Sequence, residues 1–559
     1  MELLPLINPD IFKLLPPDAN IVLDVGCGTG ALGEQYKRIN PDSLYIGIER
    51  NPEKAKIASE RLDRVIIGDV EQLDIQSLEI AEDTVNCLVY NNLLPYLTNP
   101  WKLLSQHSTL LNPDGQILAT IPNVQHWIKI VNLLQGQWEN SDKKIQHWFT
   151  IEAIKALFAH AKLQVYELQV RGQKTENFVQ FQQLLTPMVQ ALGLEAADFA
   201  TQTGAEYYIV RGGKSQTSPR RVLIQTAIMA PTGCDRVRVL EPDRFSATIP
   251  GVRTASTIKS AQLILPLPGE EKVFIWQRTI MYYPAYIPPL KELLQNDYLI
   301  VAEIDDNPIR RKEYADNQYL SYRGCHCVQT TTEPLAEFLR KLNPNVAVFN
   351  NQLAYLPSER TYPDNNYITI FFGALNREKD WQPIISALNR VLVAHKRRIR
   401  VKVIHDRHFF DALKIDNKEF EPFCSYERYL EIMHSGDIAL LPLLSNPVNE
   451  MKSDLKFVEC AGNGVAVLAS PTVYEKSIAD GETGLIYRSV ADFEAKLNSL
   501  IADTQMRRKI AANAYKWVRE NRLLSQHYRQ RRDWYLQMRD EMPRLNAELQ
   551  SRLPELFTN

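Results

Sequence analysis

Val22-Leu23-Asp24-Val25-Gly26-Cys27-Gly28-Thr29-Gly30 decides how the chain is read. A β-rich apolar run ends at Asp24, three glycines alternate with small residues, and a helical pattern opens at Ala31. Glycines at this spacing permit a tight turn and let a ligand approach the main chain closely. Asp24 adds a carboxylate beside the turn, an acceptor for a cationic or hydroxylated ligand. Outward from here, apolar runs predict strands at 21–25, 44–49, 64–67, 85–90, 116–121, 163–170 and 206–211. Helical patterns fill the gaps at 31–38, 52–61, 100–110 and 151–161. This alternation predicts a mostly parallel α/β sheet. Asn112-Pro113-Asp114-Gly115 reads as a turn before the fifth strand.

The same pattern recurs twice. Residues 212–220 are rich in Gly, Ser and Pro and read as a linker. A second α/β pattern starts at Arg221-Val222-Leu223-Ile224 and breaks near 356–363. A third starts at Tyr367-Ile368-Thr369-Ile370-Phe371-Phe372, and amphipathic helices follow it. The expected organisation is 1–213, a linker at 214–220, then 221–362, 363–504 and a helical tail at 505–559. A chain of 559 residues is too long for one core. Its net charge of −2 excludes whole-chain electrostatic binding to nucleic acid. Seven scattered cysteines suit reduced thiols. The one close cluster, Cys325-His326-Cys327, lacks a zinc-site spacing, so no metal is expected there. The first 15 residues lack a secretory pattern, and no apolar run approaches the roughly 18 residues that span a bilayer, so a cytoplasmic protein is expected.

Two ligand chemistries compete at the first loop. Gly28-Thr29-Gly30-Ala31-Leu32-Gly33 satisfies a dinucleotide fingerprint, the mark of an NAD-binding, sugar-modifying domain. Against it, an acidic residue precedes the glycine turn, and Gly68-Asp69 follows the third strand. Those features, with 92–100, 110–115, Ile121-Pro122-Asn123 and Gln146-His147-Trp148-Phe149-Thr150, resemble the class I S-adenosylmethionine-dependent methyltransferases. The resemblance covers most of residues 18–170 and implies a Rossmann-like fold. It implies that Asp24, Gly26, Gly28 and Gly30 hold the methionine part and ribose, Glu49 the ribose hydroxyls and Asp69 the adenine. Transfer to a hydroxyl needs a base, for which His147 is preferred over His126. A non-catalytic binding module is the alternative, favoured by Pro95 and Tyr96 where relatives carry Glu and His.

Residues 221–500 resemble glycosyltransferases built from two facing Rossmann-like domains, the GT-B arrangement, and especially its retaining members. The resemblance rests on 234–239 with 273–278, on 371–380, and on 437–443, 449–459 and 464–470. It implies a nucleotide-sugar donor whose leaving diphosphate gains charge, which backbone amides and cations stabilise. Gly373 is expected to supply a turn, Arg377 and Lys452 the catalytic cations, and Lys379 and Ser453 further donor contacts. If a helix covers 452–459, Lys452, Lys456 and Glu459 share one face, and the resemblance gives Glu459 the ribose. Asp305 and Asp306, after Glu303-Ile304, read as an acceptor-side pair, a capping turn or a metal site. The tail from Met506 to Arg539 carries ten Lys or Arg among aromatic residues. It reads either as helices packed across both lobes or as a basic surface on anionic lipid. The combined expectation is a bifunctional O-methyltransferase and glycosyltransferase of surface-glycan or glycoconjugate assembly. It would act on glycan acceptors, lipid-linked ones included, with peripheral contact at the inner membrane face.

Overall fold

The computed structural model describes residues 7–137, 145–214, 219–231, 233–362 and 367–558; most of the expected linker, 215–218, lies outside them. The chain forms two compact units, Met1–Arg221 with Ala247–Val252, and Val222–Ser246 with Arg253–Asn559.

The first unit holds one seven-stranded sheet: β1 (Ile21–Val25), β2 (Leu44–Glu49), β3 (Arg64–Ile67), β4 (Val85–Asn91), β5 (Leu111–Pro122), β6 (Gln164–Arg171) and β7 (Tyr207–Gly213). Their order is β3-β2-β1-β4-β5-β7-β6. The first five strands pair in parallel, whereas β7 is antiparallel to both β5 and β6. Parallel strands buried on both faces need continuous apolar runs, and four of the five residues of β1 are buried. Strand order reverses between β1 and β4, so the loop after β1 opens into the crevice where α/β sheets take ligands.

The expected turn at Asn112–Gly115 is found inside β5 rather than before it. Leu111 pairs with Val85 and Gln116 with Cys87, so five steps on one strand span two on the other. The turn residues loop out as a bulge, and pairing resumes on both sides.

The second unit holds two sheets. One contains β8 (Val222–Ile228), β9 (Val252–Ile258), β10 (Glu271–Gln277), β11 (Tyr298–Glu303), β12 (Cys327–Thr330) and β13 (Val346–Val348), in the order β13-β12-β11-β10-β8-β9. The other contains β14 (Ile368–Gly373), β15 (Ile399–Ile404), β16 (Lys418–Glu421), β17 (Ile438–Leu441), β18 (Ala466–Ala469) and β19 (Leu485–Ile486), in the order β16-β15-β14-β17-β18-β19. Every pairing in this third sheet is parallel, and its order reverses at β14 and β17.

The tail joins the two lobes of this unit. Helix Thr504–Asn521 buries Ile510, Ala514 and Val518 in the core around β14–β19. Helix Met542–Arg552 buries Leu549 in the core around β10–β12, a contribution of about 2 kcal/mol for one leucine. Between them Arg531 donates to the Arg238 carbonyl at 2.7 Å, and Tyr535 donates to Gln329 at 2.6 Å. Several of the basic residues thus face protein: Arg522 holds Asp454 at 2.6 Å, and Arg531 is buried. His326 serves the same junction, accepting from the Ile300 amide and meeting Asn546 of the last long helix at 3.0 Å. Among the described residues, no helix is long and apolar enough to cross a membrane.

Candidate active sites

The first site forms where β1 ends. Gly26, Gly28 and Gly30 all have left-handed backbones, with φ of 82°, 59° and 75°. A side chain is strained there. The loop is pinned by the amides of Gly26 and Cys27, which donate to the Ile48 carbonyl at 2.8 and 3.1 Å. A Cβ on Gly28 would meet no atom within 4 Å, so this stretch of backbone faces open space. Gly33 differs: a Cβ there would lie 2.6 Å from Tyr45 and 2.3 Å from Leu62, so it is required by helix-to-sheet packing.

Asp24 lies under the loop and is 2% exposed. The Tyr45 hydroxyl donates to its Oδ2 at 3.1 Å. Burial pushes its carboxyl up to about 7, against the Tyr45 hydrogen bond and helped by nearby Glu49. Glu49 closes the loop from β2, accepting from the Gly28 amide at 2.9 Å and the Asn51 amide at 2.8 Å. Asp69 follows β3 and accepts from the Glu71 amide at 3.1 Å. Asp24, Gly26, Gly28, Asn8, Lys54 and Asn91 are among the residues lining a cavity of about 260 Å³. A second cavity of about 540 Å³ shares Asn8 and Asn91 with it and adds Asn92, Thr120, Glu206 and Tyr207. Asparagine and threonine groups there present uncharged donors and acceptors, a set the sequence reading missed because no motif marks it.

The structure places His147 in an aromatic cluster with Trp101 and Phe149. Its Nε2 lies 3.1 Å from the Thr98 carbonyl, and its ring meets Trp101 edge-on at 4.9 Å. A carbonyl only accepts, so Nε2 carries the proton and Nδ1 is the basic nitrogen. His126 precedes helix Trp127–Leu134, and burial lowers it from the usual histidine range. Neither ring lines the two cavities.

The second site lies between the lobes of the second unit. Gly373 ends β14 in extended register with Ile404 and makes no turn. A Cβ there would lie 2.6 Å from Phe371 and 3.0 Å from Tyr429, so the glycine is needed for space, and the left-handed residue of the loop is Asn376 with φ 54°. The helix expected over 452–459 spans Leu455–Gly462 instead. Lys452 precedes it with φ −71° and ψ 158°, an extended conformation that ends a short 3₁₀ turn. Lys452 and Lys456 therefore do not share a helical face. Lys379 is exposed on the first turn of helix Glu378–Ala394, whereas Arg377 immediately precedes that helix and pairs with Asp380 at 3.1 Å.

Two clusters replace the single helical face. In one, Glu459 is 2% exposed and accepts from the hydroxyls of Tyr426 and Tyr429, each at 3.1 Å. Lys456 donates to Tyr429 at 2.6 Å and stands 3.5 Å from Glu459. In the other, Lys452 reaches across to Asp306 at 3.5 Å, where Arg310 also binds at 2.7 Å. Burial pushes the Asp306 carboxyl upward, but Lys452, Arg310 and Arg278 outweigh it and hold it below the usual range. Burial lowers Lys452, with Asp306 opposing. Ser453 accepts from Asn351 at 2.9 Å, a second link across the lobes. Asp305 and Asp306 thus face arginines and a lysine, and among the described residues no cluster is placed to hold a metal ion. Arg278 and Arg310 had no role assigned from sequence; the basic doublet Arg310-Arg311 just after two aspartates is the signal that marks Arg310, and no local signal marks the pairing of Arg278 with Asp305.

Comparison with known proteins matches two separate segments of the chain. Residues 5–168 match the methyltransferase domain family, and residues 381–537 match a glycosyl transferase-like family. A putative methyltransferase of Invertebrate iridescent virus 6 is 23% identical over 208 residues, covering 35% of this chain and 77% of that protein. A 37.1 kDa transposon protein of Streptomyces fradiae is 28% identical over 102 residues, covering 18% of this chain and only 30% of its own length. The glycosyltransferase of Rickettsia africae has 12% identity and a TM-score of 0.43, covering 57% of this chain and 98% of that one. The chain therefore carries a methyltransferase domain at its N terminus and a glycosyl transferase-like domain toward its C terminus.

Proposed function

We propose that the chain is a bifunctional transferase that O-methylates and glycosylates one glycan or glycoconjugate acceptor in sequence. The observation that supports this most is that each family-matched segment carries polar groups where its strand order reverses. In one a cavity lies under the left-handed glycines, and in the other the Lys452 and Glu459 clusters follow β17.

The first cleft suits a sulfonium nucleoside. Asp24 is a buried carboxyl that accepts from the Tyr45 hydroxyl, and Gly28 leaves room for a ligand against the main chain. When bound, S-adenosylmethionine supplies an electrophilic methyl group. Asp24 would face its cationic part, the open backbone at Gly26, Gly28 and Gly30 would let the methionine part and ribose approach closely, Glu49 would orient the loop and meet the ribose, and Asp69 would meet the adenine. The Thr98 carbonyl fixes the His147 tautomer, and Nδ1 of His147 takes the acceptor proton. At the second site, Lys452 and Arg377 stabilise the leaving nucleoside diphosphate, with Ser453 beside them, and Glu459 and Lys456 meet the nucleotide ribose and phosphates. Joining the two sites in one chain raises the concentration of one product at the other site. Seven free thiols suit a reducing cytosol. Contact with anionic membranes through the basic tail is tested by liposome flotation.

A thermal-shift screen of the full chain against S-adenosylmethionine, NAD and nucleoside diphosphate sugars tests the reading. A ligand at a hundred times its Kd stabilises the folded state by about 2.7 kcal/mol. Tighter binding of NAD than of S-adenosylmethionine would replace the methyltransferase reading. A second reading, a binding module without catalysis, draws on the absence of either histidine from the cavity walls. Undiminished methylation by His147→Ala removes that residue as the base. Equal methylation of acceptors never glycosylated by this chain sinks the sequential order.

A further inference from the structure

The second unit carries a cavity whose walls include none of the residues assigned to the donor, although Lys452 borders it through Asp306. Its volume is about 270 Å³, and Arg278, Arg310, Arg311, Asp306, Asn307 and Tyr314 are among its walls. All of these residues follow β10 or β11, in the lobe opposite Arg377, Lys456 and Glu459. Three arginines against Asp305 and Asp306 leave one positive charge, and Lys452, 3.5 Å from Asp306, brings the excess to two.

The arginines are held in place. Arg278 has a left-handed backbone, φ 49°, unusual for a residue with a long side chain. Its amide donates to the Glu303 carbonyl at 2.8 Å. The Glu303 side chain is itself fixed by Arg238 at 2.7 Å, and both side chains are 1% exposed. Arg278 turns one edge to Asp305 at 3.5 Å and another to the Cys234 sulfur at 2.7 Å. Such strain persists where the surroundings over-determine it, and it collects at ligand sites. Arginine forks match the tetrahedral oxygens of a phosphate.

We propose that this cavity binds a phosphate monoester carried by the glycosyl acceptor, so that the second unit selects phosphorylated acceptors. A phosphate monoester is close to a dianion at neutral pH, and it balances the excess charge at the site. The inference rests on the glycosyltransferase reading. The alternative source of the same chemistry is the diphosphate of the donor.

Isothermal titration of the full chain separates them. Inorganic phosphate and glucose 6-phosphate are titrated with and without saturating UDP, GDP or ADP. Glucose 6-phosphate is expected to bind the nucleotide-saturated chain at least tenfold more tightly than glucose, with an affinity that falls as salt rises. Arg310→Gln with Arg311→Gln, both at exposed positions, should weaken it at least tenfold and leave nucleotide binding within twofold. Arg310→Lys with Arg311→Lys should restore part of the loss. Exclusion of phosphate by bound nucleotide would give the arginines to the donor and overturn the proposal, as would unchanged phosphate binding in the glutamine variant. Failure of every nucleoside diphosphate to bind would sink the glycosyltransferase reading itself, and this inference with it.

Discussion

Asp24→Asn should make the first unit more stable and a worse binder of S-adenosylmethionine. The Asp24 carboxyl is 2% exposed, and burial pushes it up to about 7 from an ordinary 3.8. A group raised in the folded state contributes stability that is fully present below its unfolded value and is lost as pH rises through its folded value. The window here runs from about pH 4 to pH 7. At pH 8 the raised carboxyl costs roughly 4 kcal/mol, at 1.36 kcal/mol for each unit. Asparagine avoids that cost and still accepts from the Tyr45 hydroxyl. Differential scanning calorimetry of the full chain reads the effect on the transition that S-adenosylmethionine shifts. The variant should raise this transition at pH 8, by the equivalent of about 2 kcal/mol or more, and leave it nearly unchanged at pH 4. It should also weaken S-adenosylmethionine at least tenfold, since a buried anion facing the ligand cation has been removed. Such opposition of stability and binding is the mark of a functional group. A variant that is destabilised at pH 8, or that binds S-adenosylmethionine like the parent, refutes the assignment.

The two kinds of glycine in the first loop should separate cleanly. Gly33→Ala forces a Cβ against Tyr45 and Leu62, so thermal unfolding should show a loss of about 1–3 kcal/mol with S-adenosylmethionine affinity kept. Gly28→Ala meets open space but needs φ 59°; calorimetric titration should show weakened ligand binding, with a stability cost near 1 kcal/mol. In the second unit, Glu459→Gln removes the charge that accepts from Tyr426 and Tyr429, and nucleoside diphosphate binding should weaken about tenfold or more, at 1.5–3 kcal/mol for a hydrogen bond to a charged group. Arg238→Met strands Glu303 in the interior and should cost about 3–5 kcal/mol by denaturant unfolding, whereas Arg238→Met with Glu303→Leu should recover most of it.

Much of the fold is legible in the chain because its signals are local. The β1 to β3 strands fall at the predicted residues, since an apolar run between turn residues is read within a few positions. The glycine loop is equally local, and all three glycines take the left-handed backbone that their spacing suggests. Legibility ends where distant residues meet. Lys452 and Lys456 were placed on one face by helical arithmetic, yet the helix begins at Leu455, and Lys452 instead crosses to Asp306, 146 positions away. Gly373 looked like a turn residue because a loop follows it, but its role is set by Phe371 and Tyr429 packing against it.

By itself the sequence determined three α/β sheets, the position of the first glycine loop and the resemblance of its two halves to two unlike transferase families, all carried by short-range periodicity and residue type. Only the tertiary structure decided which charges face one another. The arginines that follow β10 and β11 gather around Asp306, and the basic tail packs across the two lobes of the second unit. Side-chain electrostatics acts over a few ångströms of space, and chain separation carries no record of which segments packing brings that close.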